Sequence, residues 1–157
     1  MSEMRLPTVA LAAEVLCADG RSFVGRIFIP VAAMRHEGPM RAEEWMNESG
    51  PFFPFLEDHE ESPVLLNKRE VLIATVLAEA DLSASPEAEE QSPHRWVIVE
   101  CRDRRIEGEL LIDMPIHRSR VLDYLNRADE FLTLREGDRH HLVQKARITR
   151  VLEARKA

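Results

Sequence analysis

The chain lacks most of the features that usually reveal a function. It has 2 Cys in 157 residues, too few for a disulfide framework. No apolar run approaches the roughly 20 residues a membrane helix needs. The longest, Val71 to Ala78, is broken by Thr75. Met1 to Pro7 has neither the basic start nor the apolar stretch of a secretory signal, and a bacterial cytoplasmic setting is expected. The 6 His do not stand with Cys or acidic residues at the spacing of a zinc finger or a metalloprotease helix. No phosphate loop, dinucleotide-binding loop or Gly-x-Ser-x-Gly turn occurs, and no Ser, Thr or Cys stands in a recognisable nucleophile setting. No enzyme, metal site or cofactor is therefore expected.

What is present is an ordinary globular composition, 45% hydrophobic and 31% charged, which excludes wholesale disorder. The formal net charge is −7, unevenly divided. Residues 1–93 carry 7 basic and 17 acidic side chains (−10), and residues 94–157 carry 14 and 11 (+3). An acidic balance argues against general nucleic-acid binding. The asymmetry could draw one half to the other, or to a second copy.

The halves also look alike. With Val15-Leu16 set over Ile98-Val99, Arg21 falls on Arg104, Phe23 on Ile106 and Gly25 on Gly108. After a gap, Arg41, Trp45, Met46 and Asn47 meet Arg120, Tyr124, Leu125 and Asn126. Phe53 then meets Phe131 and Leu56 meets Leu134. Asn67-Lys68 meets Gln144-Lys145 and Val71 meets Ile148. A second register, Ile73 to Leu77 over Ile148 to Leu152, competes for the last strand. We read an internal duplication with units at 8–78 and 94–153. Between them, residues 79–93 form an acidic, proline-bounded linker.

Each unit reads as about five strands and one short helix. Val15 and Cys17 alternate, as do Val97, Val99 and Cys101, which is strand periodicity. The two cysteines then read as small buried hydrophobes. Asp19-Gly20 is a tight-turn signal. Gly25 and Gly108 inside strands mark a bulge or sharp bend. Ala42, Trp45 and Met46, and Val121, Tyr124 and Leu125, have the i, i+3, i+4 spacing of a short helix docking an aromatic. Ser119 could cap the second helix. Asn47 and Asn126 stand where a left-handed helix end would suit Asn.

This pattern resembles an uncharacterised bacterial tandem-repeat domain of the small SH3-like or Sm-like barrel type. Gly25, Arg41, Trp45, Asn47, Phe53, Asn67 and Lys68, with their counterparts, carry the resemblance. It implies a mainly β fold with short helices, two tandem small barrels related by internal duplication. A single sheet running through both copies is the other arrangement compatible with the pattern. The resemblance implies no activity. The Ile/Leu-Arg-Gly turn of Sm proteins is missing, so RNA binding of that kind is not supported.

Two surfaces are candidates for function. Trp45, Phe52, Phe53 and Phe55 could meet a protein partner or a second copy. The three Phe occupy both strand parities, so at least one must leave the core face. Arg102, Arg104, Arg105, His117, Arg118 and Arg120 could hold a nucleotide-like anion, since guanidinium groups suit planar anions. The plainer reading of that group is a solvated hairpin tip. Arg41 and Arg120 could be ligand contacts, but read better as ion pairs or stems over a helix–sheet junction. Lys68 and Lys145 share the ambiguity, with edge-strand protection as the plainer reading. The sequence favours a non-catalytic interaction or assembly module over an anion sensor.

Overall fold

The computed structural model describes residues 8–30, 42–48, 50–77, 94–112 and 120–154. Arg41, the linker at 79–93, and His117, Arg118 and Ser119 lie outside them. The described elements are β1 (Thr8–Cys17), β2 (Ser22–Pro30), α1 (Ala42–Met46), β3 (Phe52–Glu57), β4 (Val64–Asn67), β5 (Val71–Leu77), β6 (His94–Cys101), β7 (Arg104–Leu111), α2 (Val121–Leu125), β8 (Phe131–Glu136), β9 (Arg139–Gln144) and β10 (Arg150–Glu153). Single 3-10 turns at Lys68–Glu70 and Lys145–Arg147 precede β5 and β10.

The fold is mainly β, as the alternation predicts. Its strands make one open antiparallel sheet of ten, in the order β10-β6-β7-β8-β9-β5-β1-β2-β3-β4. The order β5-β1-β2-β3-β4 in one half recurs as β10-β6-β7-β8-β9 in the other. The halves join by β9 pairing with β5, from Ile73 opposite Val143 to Leu77 opposite Arg139. This leaves β4 and β10 as the two edges.

Local chemistry explains the repeated elements. In β1, Leu11, Ala13, Val15 and Cys17 are buried while Ala12 and Glu14 face out. Gly20 has φ 93° in the following turn, and the Asp19 carboxylate accepts from the Arg21 backbone N–H (3.0 Å) and Nε (2.8 Å). Gly25 and Gly108 sit where the next strand approaches closely. A Cβ on Gly25 would lie 2.0 Å from the Leu56 carbonyl oxygen, and one on Gly108 3.0 Å from that of Arg135. The mid-strand glycines thus permit close backbone contact with the next strand, while both hairpin ladders run through them without a register shift, so no bulge is used.

The ladders correct the sequence alignment in two places and decide a third. Gly25 lies opposite Ala13 and Gly108 opposite Val97. Val15 therefore corresponds to Val99, and Cys17 to Cys101, one residue away from the sequence pairing. The first hairpin has the longer loop: the Cys17 N–H bonds to the Arg21 carbonyl, whereas Cys101 faces Arg104 directly, with Arg102 at φ 55°. In the next strand, Phe52 faces Asn67 and Phe131 faces Gln144. The counterpart of Phe131 is thus Phe52, not Phe53, and that of Leu134 is Phe55, not Leu56. Val15 faces Ala74 and Val99 faces Val151, which selects the register placing Val71 with Ile148.

The helices dock as their spacing predicts, burying Trp45 and Met46 from α1 and Val121 and Tyr124 from α2. Their ends differ from expectation. Arg120, not Ser119, holds the N-cap position of α2, without a side-chain cap bond. Asn126 ends that helix at φ −86°, so no left-handed cap is used.

The two cores interlock. One gathers β1, β2, β3, α1 and part of β5, and takes in Phe131 and Leu142 from the second half. The other gathers β6, β7, β8 and α2, and takes in Leu72 and Ile73 from the first. Adjacent residues of a strand point to opposite faces. Hence Leu142 enters one core and Val143 the other.

Candidate functional site

The arrangement most informative about function is the seam between the halves. The α1 helix ends on β8. There, Asn47 Oδ1 accepts from the Phe131 N–H at 2.8 Å and Nδ2 donates to the Phe131 carbonyl at 3.3 Å. Thr133 Oγ1 donates to Glu43 Oε2 at 2.9 Å. Gln144 Nε2 reaches the carbonyls of Lys68 (2.8 Å), Arg69 (3.1 Å) and Val71 (3.1 Å) across the seam. Thr75 Oγ1 and His141 Nδ1 are 2.8 Å apart. These bonds satisfy groups that burial would otherwise leave unpaired.

The helix pins explain the two matched lysines. Lys68 is buried beneath α1, and its Nζ donates to the carbonyls of Trp45 (3.3 Å) and Glu48 (3.1 Å). The ammonium also stands 5.8 Å from the Trp45 ring centroid. Lys145 does the same for α2, donating to the Arg127 carbonyl at 3.1 Å and standing 6.0 Å from the Tyr124 ring. A cation at a helix C-terminus meets the exposed carbonyls and the negative end of the dipole. Burial lowers both lysine pKa values from the ordinary value. Both lysines are architectural.

The candidate aromatic surface divides. Trp45, Phe53 and Phe55 are core residues, Trp45 packing edge-to-face on Phe53 at 5.1 Å between centroids. Phe52 is 56% exposed. Its counterpart Phe131 is 2% exposed, because Asn47 and the first core cover it. The next strand repeats the contrast: Leu65 is 69% exposed while its counterpart Leu142 is fully buried. Val64, the counterpart of His141, is also exposed. The β3–β4 edge therefore presents the same positions as the β8–β9 pair inside the sheet, but nothing in the chain covers them among the described residues.

The basic group is less converged. Arg102, Arg104 and Arg105 are exposed on the second hairpin. Arg105 lies 3.9 Å from Glu100, whose carboxylate already holds Arg150 through two bonds of 2.9 Å. That hydrogen bonding holds the Glu100 carboxyl below its ordinary pKa. Arg120 pairs with Asp123 at 3.0 Å. His117 and Arg118 lie outside the described residues. Of the paired histidines, His141 bonds Thr75 and lies 3.2 Å from Glu136 Oε1, while His140 faces the other way beside Val76. No cluster of three potential metal ligands occurs among the described residues. Cys17 and Cys101 are unpaired thiols, pushed above the ordinary thiol pKa chiefly by burial.

No protein family, curated protein or solved structure matches this chain. No helix among the described residues is long and apolar enough to cross a membrane.

Proposed function

We propose that the chain is a non-catalytic assembly module, made of two tandem copies of a small-barrel unit that arose by duplication. Its working surface is the β3–β4 edge, where Phe52, Val64 and Leu65 stand together. One observation carries this reading. The same ladder positions are exposed at β3–β4 and buried at β8–β9, so the fold already uses this surface once to bind a neighbouring unit. A free strand edge carrying large apolar side chains is a template for another chain. The unpaired, buried thiols suit a reducing compartment such as the bacterial cytoplasm.

The test is site-specific photo-crosslinking in the native host. A photoreactive phenylalanine analogue replaces Phe52, or, as a control away from that edge, the exposed Arg139 on β9. The reading expects a heavier adduct from position 52 and none from 139. No adduct from position 52 overturns it.

A further inference from the structure

Resting on that reading, we infer that the occupant of the β3–β4 edge is the β10 edge and α2 helix of a second copy of this chain, joined head to tail. The internal seam supplies the template. There, β5 pairs with β9 while α1 caps β8. The counterparts of β5 and α1 are β10 and α2; those of β9 and β8 are β4 and β3. All four are at hand on the outside of one chain, at opposite ends of the sheet. A surface and its complement at opposite ends make a heterologous contact, which propagates from copy to copy.

Transferring the register places specific residues together. Ala74 opposite Leu142 becomes Val151 opposite Leu65. The Thr75–His141 polar pair becomes Leu152 with Val64. Glu43 bonding Thr133 becomes Leu122 with Pro54. In both cases the two members change together, from a polar pair to an apolar pair. Leu122 is 57% exposed on α2, with no role inside its own core. Asn47, which holds the Phe131 backbone, becomes Asn126, placed to hold that of Phe52. The transfer departs from the template at Ile73, whose counterpart Arg150 is bound to Glu100 instead. Charge favours head-to-tail over head-to-head joining, because the 8–78 unit carries 6 basic and 11 acidic side chains (−5) and the 94–153 unit 12 and 11 (+1), so head-to-head joining would set two −5 units together.

Two surface substitutions test the polarity. Leu65→Glu blocks one end, Leu122→Glu the other, and both replace exposed side chains. Light scattering on the full-length wild type should give two or more chains per particle. Each variant alone should be a single chain with an unchanged urea midpoint, its association weakened by about tenfold or more. A 1:1 mixture should recover a two-chain particle, because each variant retains the end the other has lost. A wild type that stays a single chain at high concentration overturns the inference. So does a mixture that stays single, or a wild-type dimer that Leu122→Glu leaves intact. The position-52 crosslink separates this from the broader reading. An adduct carrying peptides of the chain's own residues 148–154 supports head-to-tail joining. An adduct with a different protein removes the second copy as occupant while keeping the β3–β4 edge as the working surface.

Discussion

The side-chain amide of Asn47 binds the backbone of Phe131 at both its N–H and its carbonyl, 84 residues away in sequence. The amide has one acceptor and two donors, so it mimics the peptide group of a neighbouring strand. It fastens the end of α1 to the second half, just where Phe131 enters the first core.

Asn47→Ala should therefore destabilise the fold by about 1–3 kcal/mol, since it leaves a partly buried N–H and carbonyl unpaired. Asn126→Ala at the equivalent position should change stability by less than about 0.5 kcal/mol in the single chain, as expected of an exposed residue without such a feature. Urea denaturation of both variants checks the contrast. Equal losses would contradict the assigned role of Asn47.

Gly25 and Gly108 should differ in their tolerance of a methyl group. At Gly25 the added Cβ meets backbone at 2.0 Å, which no side-chain adjustment can relieve. Gly25→Ala should cost about 3 kcal/mol or more, or prevent folding, by forcing β2 from β3. At Gly108 the closest approach is 3.0 Å, and a shift of a few tenths of an ångström suffices. Gly108→Ala should cost about 1 kcal/mol. Soluble yield and denaturation midpoints should rank the two in that order.

Much of this was legible in the sequence. The alternation of β1 and β6 and the aromatic at i+3 in each helix follow from local periodicity, whereas the mid-strand glycines serve a close approach of the next strand rather than the expected bulge. Lys68 was not legible as a buried pin, because a lone Lys before a strand looks like a surface residue until α1 is folded over it. The one-residue offset between Val15 and Val99 comes from unequal hairpin loops, which side-chain patterns do not reveal. Leu65 and Leu142 show the limit most clearly. Both are Leu in a short apolar strand, yet one is exposed and the other buried. The difference lies in what the topology sets beside them, and no local window of sequence contains that.

The seam should weaken in acid through His140. Burial, with Arg135 and His141 nearby, pushes its pKa down from 6.5 to about 4. The folded state thus disfavours the charged imidazolium. The unfolded chain binds the extra proton first, so this contribution is complete above pH 6.5 and is lost as pH falls toward 4. Its full size is at most about 3 kcal/mol, less what solvent screening removes from a partly exposed ring. His140→Gln, which cannot take up a proton, should flatten the melting temperature between pH 6.5 and 4 relative to wild type. An unchanged slope would exclude His140 as its source.

The halves should not be separable into independent folds. Phe131 and Leu142 complete the first core, and Leu72 and Ile73 complete the second. Fully burying side chains of this size contributes about 1.5–3 kcal/mol each, so these four supply roughly 6–12 kcal/mol. A whole domain has only about 5–15 kcal/mol of net stability. Cutting the chain in the 79–93 stretch exposes all four residues at once, together with the paired edges of β5 and β9. Fragments 1–78 and 94–157, purified apart, should lack a cooperative urea transition. Mixed, they should regain one whose slope, which reports the surface buried, matches the intact chain. Two fragments that each unfold cooperatively at the intact chain's midpoint would mean the shared side chains add little, and that each unit stands on its own strands.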